Sequence, residues 1–169
     1  MHYPKISANT VGGWIMSRTF IWALLLMLVI PGLALGQGEA AKVFEQRCAP
    51  CHREDGTGMA GKYPPLVKHA PEVLISSRSY LIKVLLYGLV GKIDIEGATY
   101  DGGVMPSFYS YKDKEIAAVL NYVLTSWGND KLLPKDFKPI SADEIKAERG
   151  KNIERRQVYQ IRKELKLVK

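Results

Sequence analysis

Cysteine and histidine, which often carry metal or redox chemistry, are scarce here: the 169 residues include two cysteines and three histidines. Both cysteines lie in residues 48–52, which read CAPCH. A zinc site needs about four ligands. The remaining candidates, His52 and His69, cannot easily complete one, because His52 is adjacent to a cysteine. The sequence also has no cluster of acids, bases or nucleophiles that would support catalysis, which argues against an enzyme.

The chain has no basic RNA-binding motif and no arginine cluster interleaved with aromatic residues, although its formal net charge is +7. Residues 37–128 hold ten Lys/Arg and ten Asp/Glu, whereas residues 129–169 hold twelve and seven. The excess positive charge therefore lies in the C-terminal tail. Nothing in this distribution indicates a nucleic-acid partner.

The N-terminal segment has the pattern of a secretory signal. Arg18 precedes an uninterrupted apolar run over residues 20–30, and residues 34–36 read Ala-Leu-Gly after a Pro-Gly break. A charged start, a short apolar core and small residues before a cleavage point are typical of a signal peptide. We expect residues 1–36 to be a signal peptide that is cleaved after Gly36, with the mature protein exported to the periplasm or the outer face of the cytoplasmic membrane.

Two alternatives to this leader stay open. Met16 is an alternative start, because residues 2–15 resemble neither a charged start nor a folded segment. The leader could also stay uncleaved as an anchor, which would be the protein's only attachment to a membrane. The apolar run is, however, shorter than the roughly 20 residues of a spanning helix.

Export restricts the interpretation of the cysteines, because thiol pairs in oxidising compartments usually become disulfides. A thioredoxin-type disulfide between Cys48 and Cys51 would need a βαβ context, which the sequence does not have. The remaining interpretation of Cys-x-x-Cys-His is covalent haem attachment. We expect Cys48 and Cys51 to carry thioether bonds to one haem c, with His52 as an axial ligand of the iron.

Hydrophobic periodicity predicts mainly helices. The helix over residues 112–127 is the clearest, since its apolar positions recur at helical spacing and Gly128 follows. The other predictions for residues 40–100 are helices over 40–47 and 80–87, an ordered loop over 53–71, and a small β-hairpin over 92–100 with Ile93 and Ile95 on one face. A linker is predicted over 129–140, followed by two tail helices. The first is capped by Ser141, and the second begins near Asn152 with a stripe of Val158, Ile161, Leu165 and Val168.

A second axial ligand is needed if the iron is to transfer electrons rather than bind a gas. The candidates are Met59, His69 and Met105, besides Met16 and Met27 in the leader. Met59 is too close to His52 in the chain to reach the opposite face. Met105 is favoured, because two glycines and a proline in its loop free the approach and fix the exit; His69 and an open sixth site stay as alternatives.

Neighbouring groups should support the iron site. The Nδ1–H of a ligating histidine usually donates to a carbonyl, and Pro64, in a rigid loop, is the candidate acceptor for His52. Tyr80, Arg78 and Trp127 are candidate donors to the haem propionates. A His/Met ligand pair should raise the reduction potential.

These residues resemble a class I c-type cytochrome, through the CAPCH motif, the YPPL loop over residues 63–66, Met105-Pro106 and a closing helix that ends in SWG over residues 126–128. Residues 80–91, the hairpin, residues 115–120 and the basic tail resemble more narrowly the Thermus-type small cytochromes c. One member of that group has a serine after the ligand methionine, where this chain has Pro106.

The resemblance implies an all-α fold around one covalently bound haem, with a small β-hairpin. Residues 37–128 would form the haem domain, with crossing N- and C-terminal helices, and residues 129–169 a helical extension that wraps it. It also implies His52 and Met105 as axial ligands, and Cys48 and Cys51 as attachment sites.

The implied function is a respiratory electron carrier that takes one electron at a time from a quinol-oxidising complex to a haem–copper terminal oxidase. Its contacts would be small and transient, at a haem edge formed by Ala49, Pro50, Met59, Ala60 and the neighbours of Met105. The alternative is the electron-accepting cytochrome subunit of a periplasmic dehydrogenase, held through the tail or an uncleaved leader. An enzyme or gas sensor would require an open sixth site.

Overall fold

The computed structural model describes residues 32–165 and residue 167. Most of the predicted leader, with Met16 and Met27, lies outside the described residues, as does Val168 of the tail stripe. Among the described residues, no helix is both long enough and apolar enough to cross a membrane.

Helices dominate the fold, with one short hairpin between them. The elements in chain order are α1 (Gly32–Arg47), α2 (Ala49–His52), α3 (His69–Ser76), α4 (Arg78–Tyr87), β1 (Ile93–Ile95), β2 (Ala98–Tyr100), α5 (Asp113–Thr125), a 3₁₀ helix (Asn129–Leu132), α6 (Ala142–Arg149) and α7 (Arg155–Glu164). The prediction of an all-α fold with a small hairpin is confirmed.

Helix α5 forms the centre of the core because its apolar residues recur on one face. Ile116, Val119, Leu120, Val123 and Leu124 are all buried. The Glu115 carboxylate accepts from the Lys112 N–H at 2.8 Å at the start of the helix, and Gly128 follows its end in the left-handed conformation. The predicted helix is therefore present, and it ends two residues before Trp127.

Aromatic rings join the N-terminal helix to α5. Phe44 of α1 is completely buried, and its ring centroid lies 5.4 Å from that of Tyr122 and 5.1 Å from that of Trp127. Tilted contacts at such distances are favourable aromatic geometries. They place the start of α2, and so the CAPCH motif, beside the core.

The loop between α2 and α3 is held by backbone hydrogen bonds, such as that from the Leu66 N–H to the Gly56 carbonyl at 2.7 Å, by close contacts at its glycines and by the side chain of Asn129. A Cβ on Gly56 would lie 2.7 Å from the Trp127 ring, and one on Gly58 would lie 2.6 Å from the Pro64 oxygen. The side chain of Asn129, fully buried, accepts from the Lys68 N–H at 2.8 Å and donates to the Leu66 carbonyl at 3.2 Å. This loop is therefore ordered, as predicted.

The structure differs from the sequence prediction in three segments. Helix α1 begins at Gly32, eight residues before the start of the predicted helix. Helix α3 begins at His69, within the predicted loop, because a proline is tolerated in the first turn of a helix and Pro71 occupies that turn. The predicted linker begins with the 3₁₀ helix instead, which carries Asn129 into the core.

Strands β1 and β2 pair antiparallel, with Ile93 opposite Tyr100 and Ile95 opposite Ala98. Both isoleucines of β1 are buried and Asp94 between them is exposed, as alternation predicts. One face of β1 is therefore buried and the other is exposed.

The C-terminal tail packs on the domain. Ile145 of α6 and Val158 of α7 are completely buried. The Tyr87 hydroxyl of α4 donates to the Glu148 carbonyl at 2.8 Å, and Arg149 donates to Asp113 of α5 at 2.8 Å. Apolar and polar contacts together fix α6 and α7 against α4 and α5.

We expect Gly58→Ala to lower the free energy of unfolding by about 2 kcal/mol more than Gly61→Ala does, because the new Cβ must displace the Pro64 carbonyl. Gly61 is the matched control: its φ is +70° against +69° for Gly58, and a Cβ there would meet no atom within 4 Å. Urea unfolding of both variants measures the difference. Equal losses would show that backbone strain alone sets the cost.

The ion pair between α4 and α6 makes the stability of the tail depend on pH. Arg78 donates to Glu144 through two hydrogen bonds of 2.5 and 3.0 Å, and this guanidinium lowers the pKa of Glu144 from 4.5 to about 2. Because the folded pKa is depressed, the pair stabilises the fold above pH 4.5, and this contribution is lost as the pH falls toward 2. Both side chains are about a third exposed, so its size is about 1 kcal/mol or less.

Urea unfolding of Glu144→Gln should therefore show a deficit at neutral pH that shrinks as the pH falls below 4.5. Asp143→Asn is the control, since it removes the same charge from a neighbouring position of α6. A deficit that does not change with pH, or one that Asp143→Asn shares, would contradict the assignment.

Candidate functional site

The CAPCH motif forms a single helical turn that places its reactive side chains together. The Cys51 and His52 N–H groups donate to the Cys48 carbonyl at 3.1 and 2.8 Å. Residues three and four apart share a helix face, and Cys48, Cys51 and His52 all line one cavity. Burial, with a smaller contribution from Cys51, raises the pKa of the Cys48 thiol to about 11, so before any covalent attachment this group is a neutral thiol at neutral pH.

The orientation of the His52 ring is fixed by the loop that follows it. Nδ1 of His52 donates to the Pro64 carbonyl at 2.9 Å. Because a carbonyl can only accept, the proton lies on Nδ1 and the lone pair on Nε2. Burial lowers the pKa of His52, while the Pro64 hydrogen bond opposes that shift. The side chain is therefore a neutral imidazole prepared to bind a metal through Nε2.

Met105 is held by hydrogen bonds to the segment that follows α4. The Met105 N–H donates to the Leu89 carbonyl at 2.9 Å, and the Leu89 N–H donates to the Met105 carbonyl at 3.3 Å. Two more bonds follow in the same loop, from Ser107 Oγ to the Leu86 carbonyl at 2.5 Å and from the Phe108 N–H to the Leu85 carbonyl at 3.1 Å. Carbonyls at the end of α4, which have no partner within the helix, thus anchor the methionine loop.

Two neighbouring cavities lie between the CAPCH motif and the methionine loop. Their empty volumes are about 710 and 750 Å³, part of which is open to solvent. The two cavities share six of their lining residues: Cys48, His52, Pro64, Leu89, Ile93 and Met105. They are therefore parts of one cleft, with the imidazole and the thioether among the shared walls.

The remaining walls of the cleft are mostly apolar. They come from four parts of the chain that pack around it: α1, α3, α4 and α5, which contribute Phe44, Ala70, Val73, Leu81, Val84, Leu85, Leu120 and Val123. A large apolar cleft that has two thiols, one imidazole and one thioether in its walls fits haem c. These residues could hold the macrocycle by burial, by two thioether bonds and by axial coordination.

One part of the cleft is polar. Arg162 of α7, which is only 9% exposed, lies with Nη2 3.4 Å from Nε2 of His69, and none of the described ion pairs includes this guanidinium. The buried Tyr80 hydroxyl has no hydrogen-bond partner among the described residues. A buried guanidinium and an unpaired hydroxyl need an acceptor, and carboxylates such as the haem propionates would supply it.

His69 is occupied at both ring nitrogens. Its Nδ1 lies 2.8 Å from a Glu72 carboxylate oxygen, while Nε2 faces Arg162. Because the guanidinium can only donate, Nδ1 carries the proton and donates to Glu72. Burial lowers the pKa of His69, in keeping with a neutral ring.

Two of the three predicted propionate donors lie outside the cleft. Arg78 pairs with Glu144, and Trp127 packs on Phe44 and over Gly56; neither lines the cleft, whereas Tyr80 does. Arg162 was not predicted from the sequence, because its position depends on how the tail docks, which no local pattern specifies.

Known proteins resemble this chain along most of its length. The family model described as Cytochrome c matches residues 38–127. The chain is 48% identical to cytochrome c-552 of Thermus thermophilus over 154 residues, which cover 90% of this chain and 99% of the relative. It is 35% identical over 97 residues to the cytochrome c subunit of a quinone alcohol dehydrogenase from Gluconobacter oxydans, of which it covers 20%.

The match in sequence and the geometry of the cleft agree. The family model covers more than half of the chain, from α1 to Trp127 of the SWG segment, and the CAPCH motif lies within it. The chain belongs to the cytochrome c family: it is a class I c-type cytochrome, an electron carrier with one covalently bound haem c.

Proposed function

We propose that this cytochrome carries single electrons from a quinol-oxidising complex to a haem–copper terminal oxidase, outside the cytoplasmic membrane. The observation that carries this proposal is the mouth of the cleft, where Val104, next to Met105, is 57% exposed. An exposed apolar side chain at the edge of a redox cofactor suits brief contact with a partner. The even charge balance of residues 37–128 favours a contact that depends little on salt.

We assign His52 and Met105 as the axial ligands of the iron, and Cys48 and Cys51 as the sites of the thioether bonds. When bound, haem c supplies a one-electron iron couple, whose potential a His/Met pair raises. His52 presents Nε2 because Pro64 holds Nδ1. Of the alternatives to Met105, His69 has partners at both nitrogens, and Met59 does not line the cleft.

The side chains around the cleft also influence the reduction potential of the iron. The apolar residues around the cleft exclude water, which favours the less charged ferrous state and supports a high potential. We infer no catalytic role, since both axial positions would be filled by protein groups and a substrate would have none to bind.

Export and domain organisation belong to the same proposal. Residues 1–36 would direct export and be removed after Gly36, or stay as an anchor. Residues 37–128 would form the haem domain and residues 129–169 its extension. The tail contacts through Ile145 and Val158 support an extension that wraps its own domain.

Ligation by Met105 predicts that Met105→Ala loses the weak charge-transfer band that marks a thioether on ferric haem. The reduction potential should fall as well, because the thioether favours the ferrous state. Met59→Ala is the control, a second half-buried methionine in the loop after the CAPCH motif. Spectra and redox titration of the haem-loaded variants measure both effects. An unchanged spectrum in Met105→Ala would reject the assignment.

The proposed docking edge predicts that Val104→Asp slows electron transfer to a haem–copper oxidase roughly tenfold. Docking would bury the new carboxylate without a partner, and this opposes the contact. Ile75→Asp is the control, since Ile75 of α3 is 61% exposed but does not line the cleft. Stopped-flow oxidation of the reduced protein across a salt series measures both variants.

Wild-type transfer should be fast and should respond little to salt. A steep fall with salt would move docking to the basic tail. Negligible transfer at any salt would reject the oxidase as partner.

The second candidate is an electron-accepting subunit of a periplasmic dehydrogenase. It is favoured by the likeness to dehydrogenase cytochrome subunits, including a fructose dehydrogenase subunit of Gluconobacter japonicus that is 31% identical over 119 residues. The chain spans 22% of that relative's length. Stable co-purification with a larger enzyme, together with no transfer to the oxidase, would support this candidate.

Part of the predicted docking edge does not line the cleft. Ala49 and Pro50 lie in a shallow depression on the outside of the CAPCH turn, together with Glu45, Glu54, Asp55 and Arg53. Four of the six residues that line this depression are charged, so the proposed contact centres on Val104.

A further inference from the structure

The backbone segment 88–92, between α4 and the hairpin, carries the hydrogen-bonded partner of Met105. Leu89 exchanges both of its backbone hydrogen bonds with Met105. Gly88, at φ +77°, has room for no side chain, because its Cβ would run into the Met105 carbonyl. The position of Met105 therefore depends on what holds this segment in place.

Arg155, the first residue of α7, contacts the start of the segment. Its Nε donates to the Tyr87 carbonyl at 3.2 Å, a last-turn carbonyl of α4 without a partner in the helix. The same nitrogen lies 2.8 Å from the place where a Gly88 Cβ would be. Gly88 is thus enclosed between Arg155 on one side and the Met105 carbonyl on the other.

Tyr159, one turn further along α7, contacts the end of the segment. Its hydroxyl donates to the Lys92 carbonyl at 2.9 Å. Its ring covers Gly91, whose Cβ would lie 2.8 Å from the ring carbon Cζ, and Lys163 Nζ lies 4.8 Å from the ring centroid. One helix of the tail therefore fixes both ends of the segment that pairs with Met105.

We propose that Arg155 and Tyr159 are positioning residues for the bond between Met105 and the iron. They hold segment 88–92 in the conformation in which Leu89 pairs with Met105, so the sulfur is kept at bonding distance instead of being exchanged for another ligand. This inference rests on the proposed ligation by Met105, and it gives the tail a role in the redox site as well as in stability.

The test measures how easily an external ligand replaces Met105 in the ferric, haem-loaded, full-length protein. Imidazole is titrated at constant pH, and loss of the thioether charge-transfer band gives its apparent affinity. Arg155→Ala should bind imidazole on the order of tenfold more tightly, since a charged hydrogen bond that opposes displacement is lost. Tyr159→Phe, which keeps the ring and loses one neutral hydrogen bond, should bind it about fivefold more tightly.

Arg156→Ala is the matched control. It removes the same charge from the next position of α7, where the side chain is exposed, and its imidazole affinity should equal that of the wild type. Urea unfolding of every variant is measured in parallel. A merely structural role would lower the unfolding free energy and leave the imidazole affinity of the folded protein unchanged.

The outcomes separate two failures. If the wild type shows the charge-transfer band but Arg155→Ala and Tyr159→Phe bind imidazole like the control, Met105 is a ligand and the positioning role is wrong. If the wild-type protein has no such band, the ligand assignment is wrong and the positioning role is overturned with it. Tighter imidazole binding in both variants, with the control unchanged, supports the inference.

Discussion

The pair of backbone hydrogen bonds between Leu89 and Met105 is the contact on which the proposed iron site depends most. The CAPCH turn brings the thiols and the imidazole together by local helix geometry, whereas the thioether comes from a loop far along the chain. Leu89 follows α4, and α4 packs against α3, α5 and both tail helices. The position of Met105 therefore reflects how the helical core is assembled, and under the proposed ligation a change in that packing would reach the iron through Leu89.

Three arginines of the tail contact the rest of the protein. Arg149 bonds Asp113 and two backbone carbonyls, Arg155 bonds the end of α4, and Arg162 enters the polar part of the cleft. Part of the positive excess of residues 129–169 is thus engaged in contacts within the protein. This use of the charge is consistent with a partner contact at the cleft mouth that is apolar and brief.

The sequence was sufficient to predict those features that follow from the local spacing of residues. The CAPCH motif predicts the attachment turn, the apolar stripe from Ile116 predicts α5, and the alternation around Asp94 predicts the hairpin. Contacts between distant segments could not be read in this way. Arg162 and Asn129 are polar residues in segments that read as tail and linker, and their burial appears only once the chain has folded around them. Arg78 looked equally able to bind a propionate, but Glu144, 66 residues away, engages it.

The central claim is that His52 and Met105 hold the iron between them, and X-ray absorption at the iron edge of the haem-loaded protein tests it most directly. We expect one sulfur among the nearest neighbours of the iron in both the ferric and the ferrous protein, with nitrogen for the rest. Nearest neighbours of nitrogen or oxygen alone, in either oxidation state, would contradict the account.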